Sequence, residues 1–243
     1  MWLICSSIGK KLIMSITGIS LILFLTFHML MNLVVLISPE AYNAICAFLG
    51  ANWYALIATK GLAALVAVHI LYALLLTFQN RKARGNDAYA VNARPKEVAW
   101  ASQNMLVLGI IIVVFLVLHL YHFWSKMQMV EIAHYVLGFD MGEAMAITAN
   151  GVPLAADGAY WIARTFANPI NVVLYLIGFA ALWFHLTHGF WSALQTIGIN
   201  NQIWFNRWRC VGNIWATAVM LGYAVIVIVF FLKSIFCGTA CVL

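Results

Sequence analysis

The sequence predicts an all-α integral membrane protein with five transmembrane helices, organised as a single membrane domain over residues 1–243. Three observations predict it. Of the 243 residues 65% are apolar and only 8% charged, too few polar groups to coat a soluble globule of this size. Most of the apolar residues fall in nearly uncharged runs, each long enough to supply the roughly 20 helical residues that cross about 30 Å of hydrocarbon. The runs are continuous and rich in Leu, Ile, Val and Ala, whereas barrel strands would alternate apolar and polar residues, so helices satisfy the backbone here.

The first span is expected at 12–37. It follows Lys10 and Lys11, is far longer than the apolar region of a signal peptide and has no small-residue cleavage site behind it, so it is expected to remain in place. The second span is expected at 54–79. The connection after it, Arg81 to Lys96, is polar, basic and broken by Gly85 and Pro95, and reads as a cytoplasmic loop on which a soluble partner could dock. The third span is expected at 103–125. From Met127 to Asn168, Glu131, Asp140, Glu143 and Asp157 stand among Gly and Pro residues, which predicts a short amphipathic helix and a loop on the outer face. The fourth and fifth spans are expected at 169–196 and 211–236. Trp53, Tyr54, Trp100, Trp124, Trp161 and Trp208 sit near these boundaries, as an interfacial aromatic belt would.

The basic residues give an orientation. Lys10, Lys11, Arg81, Lys82, Arg84, Arg94, Lys96, Arg207 and Arg209 fall on one side of a five-helix arrangement, and only Lys60, Lys126, Arg164 and Lys233 on or toward the other. This predicts a cytoplasmic N-terminus and an external C-terminus. The net charge of +6 then reflects topology and contact with anionic membrane lipid, with no reason to invoke nucleic acid. The cysteines at 5, 46, 210, 237 and 241 show neither metal-ligand spacing nor a C-x-x-C-H attachment signal. For Cys237 and Cys241 a disulfide and two free thiols both stand open.

The histidines carry the chemistry. His28, His69, His119, His122, His185 and His188 all lie within predicted spans, where an imidazole is costly unless paired or liganded. Their depths form a pattern. His28 lies seventeen residues beyond Lys11 and His119 sixteen beyond Gln103, so each is about 25 Å from the cytoplasmic edge, toward the outside. Helices two and four run inward, and His69 is sixteen residues after Trp53 while His185 is sixteen after Pro169. These two are level about 24 Å from the outer edge, toward the inside. Four helices thus offer two imidazole pairs at two depths, as two stacked six-coordinate haems would require, with both axial positions filled and electron transfer the only chemistry left. Zinc fits less well, because no helix carries a compact ligand set of the H-E-x-x-H kind. Gly18 and Gly109 each precede an outer histidine by ten residues, near the inner pair's level, where a glycine could let a porphyrin lie against the backbone.

The segments S-S-I-G-K-K-L-I-M-S-I-T-G-I-S-L-I-L-F-L-T-F-H (6–28), V-H-I-L-Y-A (68–73), L-V-L-H-L-Y-H-F-W (116–124) and F-H-L-T-H-G-F-W-S-A-L-Q-T-I-G (184–198) resemble the five-helix, dihaem cytochrome b anchors of succinate dehydrogenases and quinol:fumarate reductases. The resemblance covers essentially the whole chain. It implies a haem-binding bundle from the first four helices, with His69 and His185 as axial ligands of the proximal haem b iron and His28 and His119 of the distal one. His122 and His188, one turn after a ligand, remain alternatives on spacing; the family pattern favours the first of each pair and leaves them to bond haem propionates or merely to pack. Ser15 matches a serine that contacts a propionate. Trp183 stands where some members carry a transmembrane glutamate, so a proton route through that position is not expected. Glu40, Glu131 and His134 are acid/base candidates for a quinone site because they are titratable and fall near the outer face.

The resemblance further implies an FAD flavoprotein and an iron–sulfur subunit on the cytoplasmic side, menaquinone or menaquinol as the membrane substrate, a place in the inner membrane, and a dimer of the whole complex as one assembly. The dicarboxylate site would not be on this chain. A cytochrome b subunit of a hydrogenase or formate dehydrogenase is the alternative within electron transfer, and a fifth helix without histidine argues against it. A transporter is the alternative of another class, opposed by the scarcity of Asp, Glu, Lys and Arg and the lack of internal proline within the spans.

Overall fold

The computed structural model describes residues 6–50, 52–84, 100–199 and 201–236. Five helices among them are long and apolar enough to cross a membrane, with mean hydropathy between 1.8 and 2.6 over their best windows. No strand occurs among the described residues, and the isolated bridge Ile147–Pro153 is the one β-type pairing described.

Several helices begin at a side chain that accepts from their free N–H groups. Helix α1 (Ser7–Leu33) starts at Ser6, whose hydroxyl accepts from the Gly9 amide at 2.9 Å. It tightens into a 3₁₀ turn over Val34–Leu36 and gives way to α2 (Pro39–Phe48), capped by Ser38 with proline in its first turn. Helix α3 (Trp53–Arg84) follows. A single turn at Trp100–Gln103 leads into α4 (Met105–His119), which widens into a π-turn over Leu120–Trp124. After an irregular stretch, Asp157 caps α5 (Gly158–Phe166) and Asn168 caps α6 (Pro169–Thr196), again with proline at the start. Asn201 caps α7 (Trp204–Phe236) by accepting from the amides of Ile203 and Trp204.

The helices overrun the predicted spans. The first begins at Ser7 rather than 12, the second continues to Arg84 rather than 79 and the fifth begins at Trp204 rather than 211. Hydropathy marks only the hydrocarbon-facing stretch, whereas backbone hydrogen bonding carries each helix on past Lys10, Arg81 or Arg207. The short amphipathic helix expected between 127 and 168 is α5, whose Ala159, Ile162, Ala163 and Phe166 are buried. Gly85, Arg94, Pro95, Lys96, Cys5, Cys237 and Cys241, on which the docking-loop and disulfide expectations rest, lie outside the described residues.

Helices α1, α6 and α7 form the packed centre, with Met29, Phe179, Ala216, Val219 and Val227 in its core. Small residues set its spacing: a Cβ at Gly178 would overlap the Phe115 ring of α4, and one at Gly222 would come within 2.8 Å of Met29 Sδ. Polar groups in the spans are matched across helices. The Trp215 indole donates to Thr26 at 3.0 Å, the Trp183 indole to Thr217 at 2.9 Å and the Tyr223 hydroxyl to the Leu25 carbonyl at 3.0 Å. Helix α3 packs on α1, and α4 packs on α6. By contrast, α1 with α4 and α3 with α6 are not among the closely packed helix pairs, so the four-helix part of the bundle is open along two diagonals.

Candidate functional site

Those two diagonals are where the histidines meet. His28 of α1 and His119 of α4 face each other with ring centroids 5.9 Å apart and planes at 86°. His69 of α3 and His185 of α6 face each other at 6.4 Å and 68°. Metal–imidazole bonds of about 2 Å on opposite sides of one iron place two ring centres about 6 Å apart. The pairs expected from depth are therefore the pairs brought together. They also lie at two levels. His69 abuts Thr17 and Gly18, eleven and ten residues before His28 on α1, a drop of about 15–17 Å along the helix axis.

No protein-family model, curated protein or solved structure matches this chain. Function must be read from the site itself.

The surroundings of each pair differ. The upper pair sits in an aromatic shell: Phe24 stacks on His28 at 5.3 Å and Tyr223 lies 6.0 Å from it, while Phe115, Phe123 and Tyr175 surround His119 at 5.3–6.3 Å. Asn32 ties His28 to α2. Its amide donates to the His28 carbonyl at 2.7 Å and lies 3.3 Å from Nδ1, while its oxygen accepts from the Tyr42 hydroxyl at 2.9 Å. In that arrangement the His28 proton sits on Nε2, and ligation through Nε2 requires it to move to Nδ1. At the lower pair, His69 Nδ1 lies 3.1 Å from Thr17 Oγ, and His185 Nδ1 is buried without a hydrogen-bond partner. Orphaned buried donors are rare, and a missing group is one standard reason for them.

His122 is set apart from His119 by the π-turn. The i→i+5 bond from the Ser125 amide to the Leu120 carbonyl, 2.8 Å long, adds a residue to that turn. His122 is thereby directed onto Tyr175, stacking at 5.8 Å and 20° with Nδ1 3.2 Å from the phenol oxygen. His188 packs edge-on against Trp191 at 5.0 Å, and its buried Nδ1 also has no partner. Ser15 is buried, but its hydroxyl donates to the Lys11 carbonyl at 3.0 Å, so donating to a propionate would require that rotor to turn. Gly18 has ordinary room for a Cβ, 3.5 Å from His69 Cε1, and nothing lies within 4 Å of a Cβ built on Gly109.

The three acid/base candidates separate clearly. Glu40 is exposed and accepts from the Ser38 hydroxyl at 2.8 Å, which holds its carboxyl below the usual range. His134 bonds the Phe139 carbonyl at 3.2 Å and packs on Tyr135. Glu131 alone is buried, at 7% exposure, and burial pushes its carboxyl from 4.5 up to about 7. It lies directly over Gly50, where a Cβ would overlap the carboxylate. Beside it Gln128 donates to the Gly50 carbonyl and accepts from Thr59 and Trp124. Cys46 lies in the same region, and burial raises its thiol to about 12.

The sequence reading did not identify Thr17, Asn32, Tyr42 or Tyr175. One signal was available: Tyr175 precedes His185 by ten residues on α6, which places it level with the His28–His119 pair. Among the described residues no three His, Cys, Asp or Glu side chains gather as a metal-ion site. Each pair offers two donors, the number that a porphyrin leaves to its protein.

Proposed function

We propose that this chain is the haem-bearing anchor of a succinate:quinone oxidoreductase or quinol:fumarate reductase. The carrying observation is the pair of facing imidazoles at each of two levels, drawn from four helices and separated by 5.9 and 6.4 Å. Two b haems held there would supply one-electron transfer across the membrane, between an FAD flavoprotein with its iron–sulfur subunit and menaquinone.

The protein's own groups have separable tasks in this reading. His28 with His119, and His69 with His185, would hold the two haem irons. Phe24, Phe115, Phe123 and Tyr223 exclude water from the upper pair, and Tyr175 keeps His122 out of the ligand position. Glu131, with a carboxyl that changes charge near neutral pH, is the group best placed to take or return a quinol proton at the loop-rich end. The orientation in the inner membrane, with α1 entering from the cytoplasm, follows from the basic residues at that end.

Co-purification tests the assignment. The tagged chain, isolated from its native membrane, should bring down a flavin-containing succinate-oxidising subunit and an iron–sulfur subunit, and succinate should reduce its b-type absorption bands. Recovery of a hydrogenase or formate dehydrogenase subunit in their place would overturn it.

A further inference from the structure

We propose that Thr17 is a positioning residue for the lower histidine pair: by accepting the Nδ1–H of His69, it fixes the tautomer in which Nε2 carries the lone pair. This rests on the haem reading above. Thr17 is buried at 5% exposure, and its Oγ lies 2.9 Å from the Ile13 carbonyl and 3.0 Å from that of Met14. A hydroxyl has one proton, and both preceding-turn carbonyls compete for it, as back-bonding threonines in helices do. What Oγ then presents to His69 Nδ1 at 3.1 Å is a lone pair, so the imidazole is the donor. A neutral imidazole that donates from Nδ1 has its basic nitrogen at Nε2, the form a metal binds, and a hydrogen bond from the other nitrogen raises its basicity.

The remaining surroundings of His69 single Thr17 out. Its adjacent residue, Gly18, offers only backbone, with a built Cβ 3.5 Å from His69 Cε1. Across the gap, His185 is related to His69 only by ring contact, and its own Nδ1 has no partner. One ring of the lower pair thus has a protein hydrogen-bond partner at Nδ1, and the other does not.

The test compares wild type, Thr17→Val and Thr17→Ser in the full-length chain within its purified complex. Nitrogen chemical shifts of ¹⁵N-histidine-labelled protein report the tautomer, haem assay reports occupancy, and potentiometry reports the two midpoints. The expected result is Nδ1–H at His69 in wild type, its loss in Thr17→Val with about 10–100-fold weaker retention of one haem, and recovery in Thr17→Ser. The midpoint of any haem retained at that site should rise, since a less basic ligand favours the reduced iron. The other haem should keep its occupancy and midpoint, which shows that the bundle still folds. An Nε2–H tautomer at His69 in wild type, or a Thr17→Val variant with unchanged tautomer, occupancy and midpoints, would overturn the proposal. A wild type with the Nδ1–H tautomer but no haem would instead sink the haem reading and leave the tautomer result standing.

Discussion

At the scale of single residues, the choice between His119 and His122 is decided by what each ring touches. Replacing His119 removes the partner of His28 and should eliminate one haem, detected as the loss of half the pyridine haemochrome signal. Replacing His122 with Phe keeps a ring against Tyr175 and should leave both haems in place. Spacing could not separate the two, because the π-turn that redirects His122 leaves no mark in the apolar pattern. The four facing histidines were legible because depth is countable at a constant rise per residue. The groups around them were not, because which side chain meets an imidazole from another helix depends on helix rotation. Glu131 gives a second prediction at this scale. Its carboxyl titrates near 4.5 when unfolded and near 7 when folded, so between those values the folded chain holds a proton the unfolded chain has released. Stability should therefore fall as pH rises from about 4.5 to about 7. Melting midpoints in detergent across that range should show the slope in wild type and lose that component in Glu131→Gln.

At the scale of elements, the spans were legible from hydropathy and their ends were not. Caps such as Ser6 and Asn201 lie outside the apolar runs, and the helices reach out to them through polar turns. The connection after α4 shows a different limit. The sequence predicts a short amphipathic helix and a loop there but not which acidic residue organises them: Asp157 is fully buried, accepting from Asn43 and Asn150 at 2.8 Å, Thr148 at 2.9 Å and the Tyr160 amide at 3.0 Å. Asp157→Ala would leave the buried Asn43 amide without its acceptor and remove the cap of α5, at a cost of about 1–3 kcal/mol, and loss of α5 protection in hydrogen exchange would show it. Where α4 crosses α6, Gly178→Val would drive into Phe115 and cost about 1–3 kcal/mol by overpacking. Since Phe115 touches His119 and Tyr175, the same variant should weaken retention of one haem more than the other.

At the scale of the whole molecule, the bundle is tight where α1, α6 and α7 meet and open along the two diagonals bridged by imidazole. A bundle stabilised by packing alone has no reason to keep α1 from α4 and α3 from α6 and to place one histidine from each across those two separations. The fifth helix closes one flank and contributes Tyr223 to the upper pair, a contact that its lack of histidine gave no hint of. On the proposed function those gaps hold two haems. The decisive measurement is a reduced-minus-oxidised spectrum with a haem-to-protein ratio on the purified complex. Two occupied sites give b-type bands and two haems per chain; a ratio of one or none is incompatible with them.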